Sequence, residues 1–284
     1  MTVFSGTGGN DVFNVYGNYD LLGAMAGEGW DKFLLTGDLW VSSLLLHPNA
    51  SVEEIDFAGY RLQGTVGNDS FDLSGVQTLT NQAYVIYLAS GVDTFKGSAA
   101  ADWVEGGLGK DWLHGGAGHD RLYGGADDDL LQGGAGHDRV YGGGGRDRIF
   151  GDEGNDWLYG DDGDDHVTGD AGDDIVYGDA GDDLLYGGIA NDRLYGGIGN
   201  DRLHGDQGND YLYGGTGFDR LYGGDGADRL FGGISMDTLF GDAGNDRLYG
   251  DADGDRLYGE DGADYLYGGD GIDTLFGQAD NDRL

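Results

Sequence analysis

Residues 187–213 read GGIANDRLY GGIGNDRLH GDQGNDYLY, three successive blocks of nine residues with one common pattern. The pattern is G-(G/D)-x-G-x-D-x-U-x, where U is aliphatic, and 19 such blocks follow one another without interruption from Gly106 to Phe276. Position 1 is glycine, position 6 is aspartate and position 8 is leucine, valine or isoleucine in every one of these blocks. A fixed period of this length predicts a repeat architecture in which each block packs on its neighbours.

Each position of the block favours short strands joined by turns. Glycine tolerates positive φ, so positions 1 to 6 indicate a turn, and positions 7 to 9 indicate a short strand. Because strand side chains alternate, a buried position 8 leaves positions 7 and 9 outside. A turn of this kind reverses the chain, so block n stacks on block n+2. The sequence therefore predicts an all-β fold over residues 106–284, a right-handed parallel β-roll with two repeats per rung.

Residues 1–105 are less regular, but they contain four echoes of the turn, each with the form G-x-D-x-F. The aspartates of these echoes are Asp11, Asp31, Asp69 and Asp93. Their unequal spacing, together with apolar stretches at 39–46 and 84–89, predicts an irregular β-helical region that caps the first edge of the roll. No G-x-S-x-G or H-E-x-x-H motif occurs in the sequence, so we expect no catalytic residues, no organic cofactor and no enzymatic activity.

The composition excludes several classes of protein. The chain has 284 residues, of which 62 are glycine, 53 are acidic and 15 are basic, and its net charge is −38. Glycine disfavours helices, and the negative charge disfavours nucleic acid as a partner. No apolar run is long enough for a membrane-spanning helix, and no cysteine is present for disulfides or thiol-bound zinc. Because residues 1–11 lack the features of a cleaved secretory signal, export would need another route.

The invariant aspartate places one carboxylate at the same point of each turn. Stacked turns lie about 5 Å apart, and like charges at that distance need a counter-ion. The glycine carbonyls add further oxygen atoms, and a set of six or more oxygens suits calcium better than magnesium. The candidate metal ligands are the position-6 aspartates: Asp111, Asp120, Asp129, Asp138, Asp147, Asp156, Asp165, Asp174, Asp183, Asp192, Asp201, Asp210, Asp219, Asp228, Asp237, Asp246, Asp255, Asp264 and Asp273.

The charge of the repeats suggests that folding depends on calcium. Residues 106–284 hold 40 acidic and 12 basic residues. Pairing each turn with the next turn on the same side gives at most about 17 inter-turn sites. One divalent ion at each of these sites would neutralise the net negative charge of the repeats. Because highly charged, weakly hydrophobic segments stay disordered, we expect an unfolded chain where calcium is scarce and a folded one at millimolar calcium.

The blocks from Gly106 onward resemble the RTX (repeats-in-toxin, haemolysin-type calcium-binding) family of secreted Gram-negative proteins, whose signature is G-G-x-G-x-D-x-U-x. The resemblance implies calcium between turns, position-6 aspartates as ligands, and export to the extracellular space, without a cleaved signal peptide, through a type I secretion apparatus. In size and organisation the chain is similar to nodulation-related members of the family. That similarity implies action at a host cell surface or plasma membrane, with cation conduction as one form of it. The alternative is an accessory calcium-binding module for an extracellular polysaccharide-modifying enzyme.

Two outward positions leave alternatives open. Position 9 is aromatic in 15 of the 19 blocks, and position 7 is arginine in nine. The aromatic rings either stack along the sheet or form a surface for a membrane or a sugar chain. The arginines either balance charge and stack on the neighbouring tyrosines, or hold anionic lipid or acidic polysaccharide.

Overall fold

The computed structural model describes backbone and side chains in residues 62–64, 66–74, 76 and 85–284, and strand backbone alone elsewhere. The chain divides into two compact units, residues 1–141 and residues 142–284. Both units consist of parallel β-strands. In the described residues the strands are β1 (Thr2–Ser5), β2 (Val12–Tyr19), β3 (Leu22–Met25), β4 (Asp31–Val41), β5 (Ser43–Leu46), β6 (Val52–Asp56), β7 (Leu62–Gln63), β8 (Ser70–Asp72), β9 (Thr78–Thr80), β10 (Ile86–Ser90), β11 (Thr94–Lys96), β12 (Trp103–Leu108), β13 (Trp112–Gly118), β14 (Arg121–Ala126), β15 (Leu130–Gly136), β16 (Arg139–Gly144), β17 (Arg148–Glu153), β18 (Trp157–Asp162), β19 (His166–Ala171), β20 (Ile175–Ala180), β21 (Leu184–Ile189), β22 (Arg193–Ile198), β23 (Arg202–Gln207), β24 (Tyr211–Thr216), β25 (Arg220–Asp225), β26 (Arg229–Ile234), β27 (Thr238–Ala243), β28 (Arg247–Ala252), β29 (Arg256–Glu260), β30 (Tyr265–Asp270) and β31 (Thr274–Gln278).

Successive strands of the repeats alternate between two parallel sheets. In residues 142–284 the odd-numbered strands β17 to β31 form one sheet, and the even-numbered strands β18 to β30 form the other. The register within a sheet is constant, since Arg202 pairs with Arg220 and Arg220 pairs with Thr238, in each case 18 residues later. In residues 1–141 the strand order is β1-β3-β5-β8-β11-β13-β15 in one sheet and β14-β12-β10-β7-β4-β6-β9 in the other, with β2 beside β4. The predicted all-β parallel solenoid of nonapeptide repeats is therefore confirmed.

The strands are longer than the sequence predicted. In β22 the strand continues through positions 1 to 3 of the next block, where Gly197 pairs with Gly215 and Ile198 pairs with Thr216. Positive φ occurs at positions 2 and 4, as in Gly215 (112°) and Gly217 (138°), and not at position 1. The prediction of a six-residue turn was wrong because the backbone groups of positions 2 and 3 find partners in the neighbouring rung. The turn is limited to positions 4 to 6.

The core is a single column of position-8 side chains between the two sheets of each unit. These residues are at most 1% exposed from Val104 to Leu266, and Leu275 in the last full block is half-buried. Phe71 and Phe95 of two echoes are fully buried in the equivalent place. The inward orientation predicted for position 8 is confirmed. The phenylalanines of the first two echoes lie outside the residues whose side chains are described.

Parallel pairing in residues 1–105 has longer and unequal rungs. Thr2 pairs with Leu22, 20 residues later, whereas Ser43 pairs with Ser70, 27 residues later. The register between β2 and β4 also shifts along the pair. Strands β4, β5 and β10 cover most of the two apolar stretches that were predicted to form strands. The strand pairing in this part of the chain is therefore parallel and irregular, while the irregular β-helical cap over residues 1–105 and its boundary at residue 106 stay predictions.

Candidate metal centre

Stacking gathers the position-6 aspartates into columns. In each column the carboxylate of one aspartate accepts a hydrogen bond from the backbone N–H of the aspartate 18 residues earlier. The backbone N–H of Asp201 donates to Oδ1 of Asp219 at 2.8 Å, and the N–H of Asp192 donates to Oδ1 of Asp210 at 2.8 Å. In residues 142–284 one column contains Asp147, Asp165, Asp183, Asp201, Asp219, Asp237, Asp255 and Asp273, and the other contains Asp156, Asp174, Asp192, Asp210, Asp228, Asp246 and Asp264. Residues 1–141 hold the shorter columns Asp111–Asp129 and Asp120–Asp138. The structure therefore brings the predicted residues together at one-turn intervals.

Burial leaves the second carboxylate oxygen without a hydrogen-bond partner in 14 of these aspartates. The side chains from Asp111 to Asp264 are at most 3% exposed, and Asp273 is half-buried. Oδ2 is buried without a hydrogen-bond partner in Asp111, Asp120, Asp165, Asp174, Asp183, Asp192, Asp201, Asp210, Asp219, Asp228, Asp237, Asp246, Asp255 and Asp264. A buried carboxylate oxygen without a partner is costly, so a whole column of them needs an external cation or a proton.

The position-1 glycine keeps a small space open beside this oxygen. A Cβ atom on Gly214 would lie 2.5 Å from Asp219 Oδ2 and 2.6 Å from the carbonyl oxygen of Gly232. A carboxylate oxygen and a carbonyl oxygen of the next turn therefore border the same space. Glycine is required at position 1 for room rather than for backbone conformation, which the sequence pattern did not reveal.

Burial also makes the negative charge of the columns unfavourable. Desolvation raises the pKa of Asp201 and of Asp237 to about 8, and that of Asp183 and of Asp219 to about 6. The N–H of the preceding aspartate acts in the opposite direction, because it donates a hydrogen bond to the carboxylate. The burial effect is larger, so in the metal-free fold the carboxylates with a pKa of about 8 hold their proton at neutral pH, whereas those with a pKa of about 6 have largely lost it.

The donor set is suited to a hard cation. It consists of carboxylate and carbonyl oxygens, the ligands that calcium prefers. In the part of the chain that the structure describes, no three His, Cys, Asp or Glu side chains converge on one point. A metal ion here would be held by position-6 carboxylates of stacked turns together with backbone carbonyls, as the sequence predicts. The individual ligand roles of the 19 aspartates stay predictions.

The columns include aspartates that the sequence reasoning did not count. The N–H of Asp93 donates to Asp111 Oδ1 at 2.8 Å, and the N–H of Asp102 donates to Asp120 Oδ1 at 2.7 Å. At the other end, Asp264 donates to Asp282 Oδ1 at 3.1 Å. Residues 97–105 keep glycine, aspartate and an aliphatic residue at positions 1, 6 and 8. This spacing identifies Asp102 as a further position-6 aspartate and could have been recognised in the sequence.

The outward aromatic rings stack along the sheets. In one sheet of the second unit neighbouring ring centroids are 4.6 to 5.1 Å apart and the planes lie within 13° of parallel. This stack contains Tyr186, His204, Tyr222, Phe240, Tyr258 and Phe276. The stacking alternative for position 9 is confirmed in this sheet, whereas in the other sheet Tyr213 and Tyr267 are exposed and the Tyr267 ring is tilted by 57° from that of Tyr249.

Arginine stacking involves different partners from those predicted. The guanidinium of Arg121 lies 5.3 Å from the ring centroid of Trp103, and that of Arg283 lies 5.3 Å from Tyr265. Both rings belong to position 7 of the neighbouring turn and not to the position-9 tyrosines. Residues at the same block position are directly opposite in a parallel pair, which explains the choice.

A family model described as the RTX calcium-binding nonapeptide repeat (four copies) matches residues 87–284 in overlapping segments. The match begins before Gly106, in agreement with the columns that extend to Asp93 and Asp102. A comparison with curated proteins gives no match. Among the described residues there is no helix with the length and apolar character needed to cross a membrane.

Proposed function

The chain belongs to the family of proteins with RTX calcium-binding nonapeptide repeats, and from that premise we propose that it is a secreted, non-enzymatic protein that acts at the surface or membrane of a host cell. RTX repeats are typical of extracellular proteins exported by type I secretion. In this proposal the chain crosses the type I apparatus unfolded, because calcium is scarce inside the cell. It then folds on the calcium that it meets outside.

The observation that supports calcium-dependent folding in this proposal is the column of buried position-6 carboxylates, most of which have an Oδ2 atom without a hydrogen-bond partner. Oδ1 of Asp219 already accepts the N–H of Asp201, so Oδ2 remains for a ligand. Bound calcium would compensate the charge of these carboxylates. The chain's own residues hold the carboxylates in line and keep the space beside position 1 open.

Export and folding are tested together in a Gram-negative host that produces the chain with and without a type I exporter. We expect the protein in the medium only when the exporter is present, and resistant to protease only when calcium is present. A protein that is protease-resistant inside the cell would contradict folding after export. Equal release without the exporter would contradict the route.

The membrane step has its own test. In size and organisation the chain resembles rhizobial nodulation protein O, a secreted RTX protein linked to cation conduction in host membranes. We therefore expect calcium-loaded protein to increase the conductance of liposomes with a plasma-membrane composition. Unchanged conductance, with the protein folded by circular dichroism, would remove the pore from the proposal and leave the calcium-binding role intact.

A second candidate function is an accessory module that holds acidic polysaccharide for a partner enzyme. Its support is the pairing of exposed arginines, since Arg202 lies beside Arg220 and Arg229 lies beside Arg247. Paired guanidinium groups suit carboxylate or sulfate groups of a glycan. Retention of the calcium-loaded chain on an acidic polysaccharide column, lost in Arg202→Ser with Arg220→Ser, would favour this candidate. Retention unchanged by the substitutions would count against it.

A further inference from the structure

The turns that follow the even-numbered strands β18 to β30 stack along one edge of the second unit, here called the even-strand edge. The N–H of Gly181 donates to the carbonyl of Ile198 at 2.9 Å, and the N–H of Gly217 donates to that of Ile234 at 3.1 Å. Phe218 N–H likewise donates to Oδ1 of Asn200, one turn earlier, at 3.0 Å. Positions 3 and 5 of successive turns therefore form outward columns along this edge.

Three successive turns of the even-strand edge present an uncharged, apolar surface. The side chains of Ile198, Phe218, Ile234 and Met236 are 67, 54, 55 and 52% exposed. In these turns, residues 196–201, 214–219 and 232–237, the charged side chains are the buried position-6 aspartates. The patch extends over about 10 Å, two rung spacings. A group of exposed apolar side chains on so acidic a chain indicates an interaction site.

Exposed carboxylates border the apolar patch on both sides along the same edge. They belong to positions 2, 3, 4 and 5 of the flanking turns, so they are not the candidate metal ligands. On the preceding side they are Asp162, Asp179 and Asp182, and on the following side they are Asp251, Asp253 and Asp270. The edge therefore alternates acidic, apolar and acidic, and it keeps this order when calcium occupies the position-6 columns.

We propose that the even-strand edge binds a protein segment whose apolar centre is flanked on both sides by lysine or arginine. Such a segment buries its apolar centre against Phe218 and Met236 while its basic ends lie beside the acidic turns. A second copy of the chain would place acidic flanks against acidic flanks, and anionic lipid would meet the same repulsion. The inference goes beyond the proposed function, because it requires only the calcium-loaded fold and no action at a cell surface.

The test uses a synthetic, fluorescently labelled peptide with an apolar centre and two lysines at each end. Its binding to the full chain in millimolar calcium is followed by fluorescence anisotropy, beside a peptide with aspartate ends and one with a serine centre. We expect the lysine-flanked peptide to bind at least about tenfold more tightly than either. We also expect salt to weaken that binding. Equal binding of the lysine-flanked and aspartate-flanked peptides would overturn the proposal.

Variants of the chain locate the binding surface. The double variant Phe218→Ser with Met236→Ser should lose about tenfold or more in affinity for the lysine-flanked peptide. The matched control is Ile189→Ser, which removes a 58% exposed isoleucine from the opposite edge and should bind as the unchanged chain does. Circular dichroism in calcium verifies that each variant is folded. Equal loss in the control would refute the assignment. Two results would refute the choice of partner. One is self-association of the chain that the double variant abolishes, and the other is binding to zwitterionic vesicles in place of the peptide.

Discussion

Replacing Gly214 by alanine tests the steric account of position 1. The added Cβ would lie 2.5 Å from Asp219 Oδ2 and 2.6 Å from the carbonyl oxygen of Gly232. Non-bonded carbon and oxygen atoms rarely approach closer than about 3 Å, so both oxygens must move. The Asp219 carboxylate cannot move without weakening its 2.8 Å bond from the N–H of Asp201.

The expected cost follows from these two effects. Overpacking of a closely packed site costs about 1–3 kcal/mol, and the loss of one hydrogen bond costs about 1 kcal/mol. We therefore expect Gly214→Ala to lower the free energy of unfolding by about 2–4 kcal/mol in calcium. It should also raise the calcium concentration needed for folding, since the displaced oxygen is a candidate ligand.

The assay is urea unfolding in millimolar calcium, followed by circular dichroism. Gly144→Ala is the matched control, because a Cβ at that position has no neighbouring atom within 4 Å and the glycine does not have positive φ. The control should unfold at an unchanged or slightly higher urea concentration. If Gly214→Ala and Gly144→Ala unfold at the same urea concentration, position 1 does not keep a space open.

Three further predictions concern the carboxylates and the outer stack. Asp210→Asn keeps an acceptor for the N–H of Asp192 but removes the negative charge. A calcium titration should therefore show weaker binding, and circular dichroism in chelator should show more β-structure. The control Asp225→Asn changes an exposed aspartate and should alter neither result. Burial raises the pKa of Asp237 from 3.8 to about 8, so the folded form holds a proton that the unfolded chain releases. In chelator the contribution of this proton to the stability of the fold is therefore greatest below about pH 4 and is lost as the pH rises towards 8. A β-structure content, measured by circular dichroism, that stays constant over that pH range would contradict this prediction. Tyr222→Ser removes a ring that is stacked on both sides. With calcium present it should lower the free energy of unfolding by about 1–3 kcal/mol. An unchanged melting temperature would show that the stack is not stabilising.

The sequence predicted the features that recur in every block. Position 8 had to face inward because it is the aliphatic residue of an alternating strand, and position 6 had to align because the period never changes. The pattern missed Asp102, whose block has alanine in place of glycine at position 4. It also assigned position 1 to the turn, because a glycine kept for space and a glycine kept for positive φ look the same in a sequence.

Features that arise from the variable positions needed the structure. Phe218 and Met236 occupy position 5, where the pattern allows any residue, and they are 18 residues apart. The predicted stacking of alternate blocks places them in neighbouring turns of one edge, but only the structure shows that both side chains are exposed there. The pairing of arginines with position-7 rings likewise depends on which residues lie opposite each other in the register.

Circular dichroism during a calcium titration of the purified chain measures whether cations between the turns drive folding. We expect a disordered spectrum in chelator at neutral pH and a cooperative rise of β-structure towards millimolar calcium, with no such rise in magnesium. A chain that shows its full β-spectrum in excess chelator at neutral pH would contradict the claim that cations between the turns drive folding.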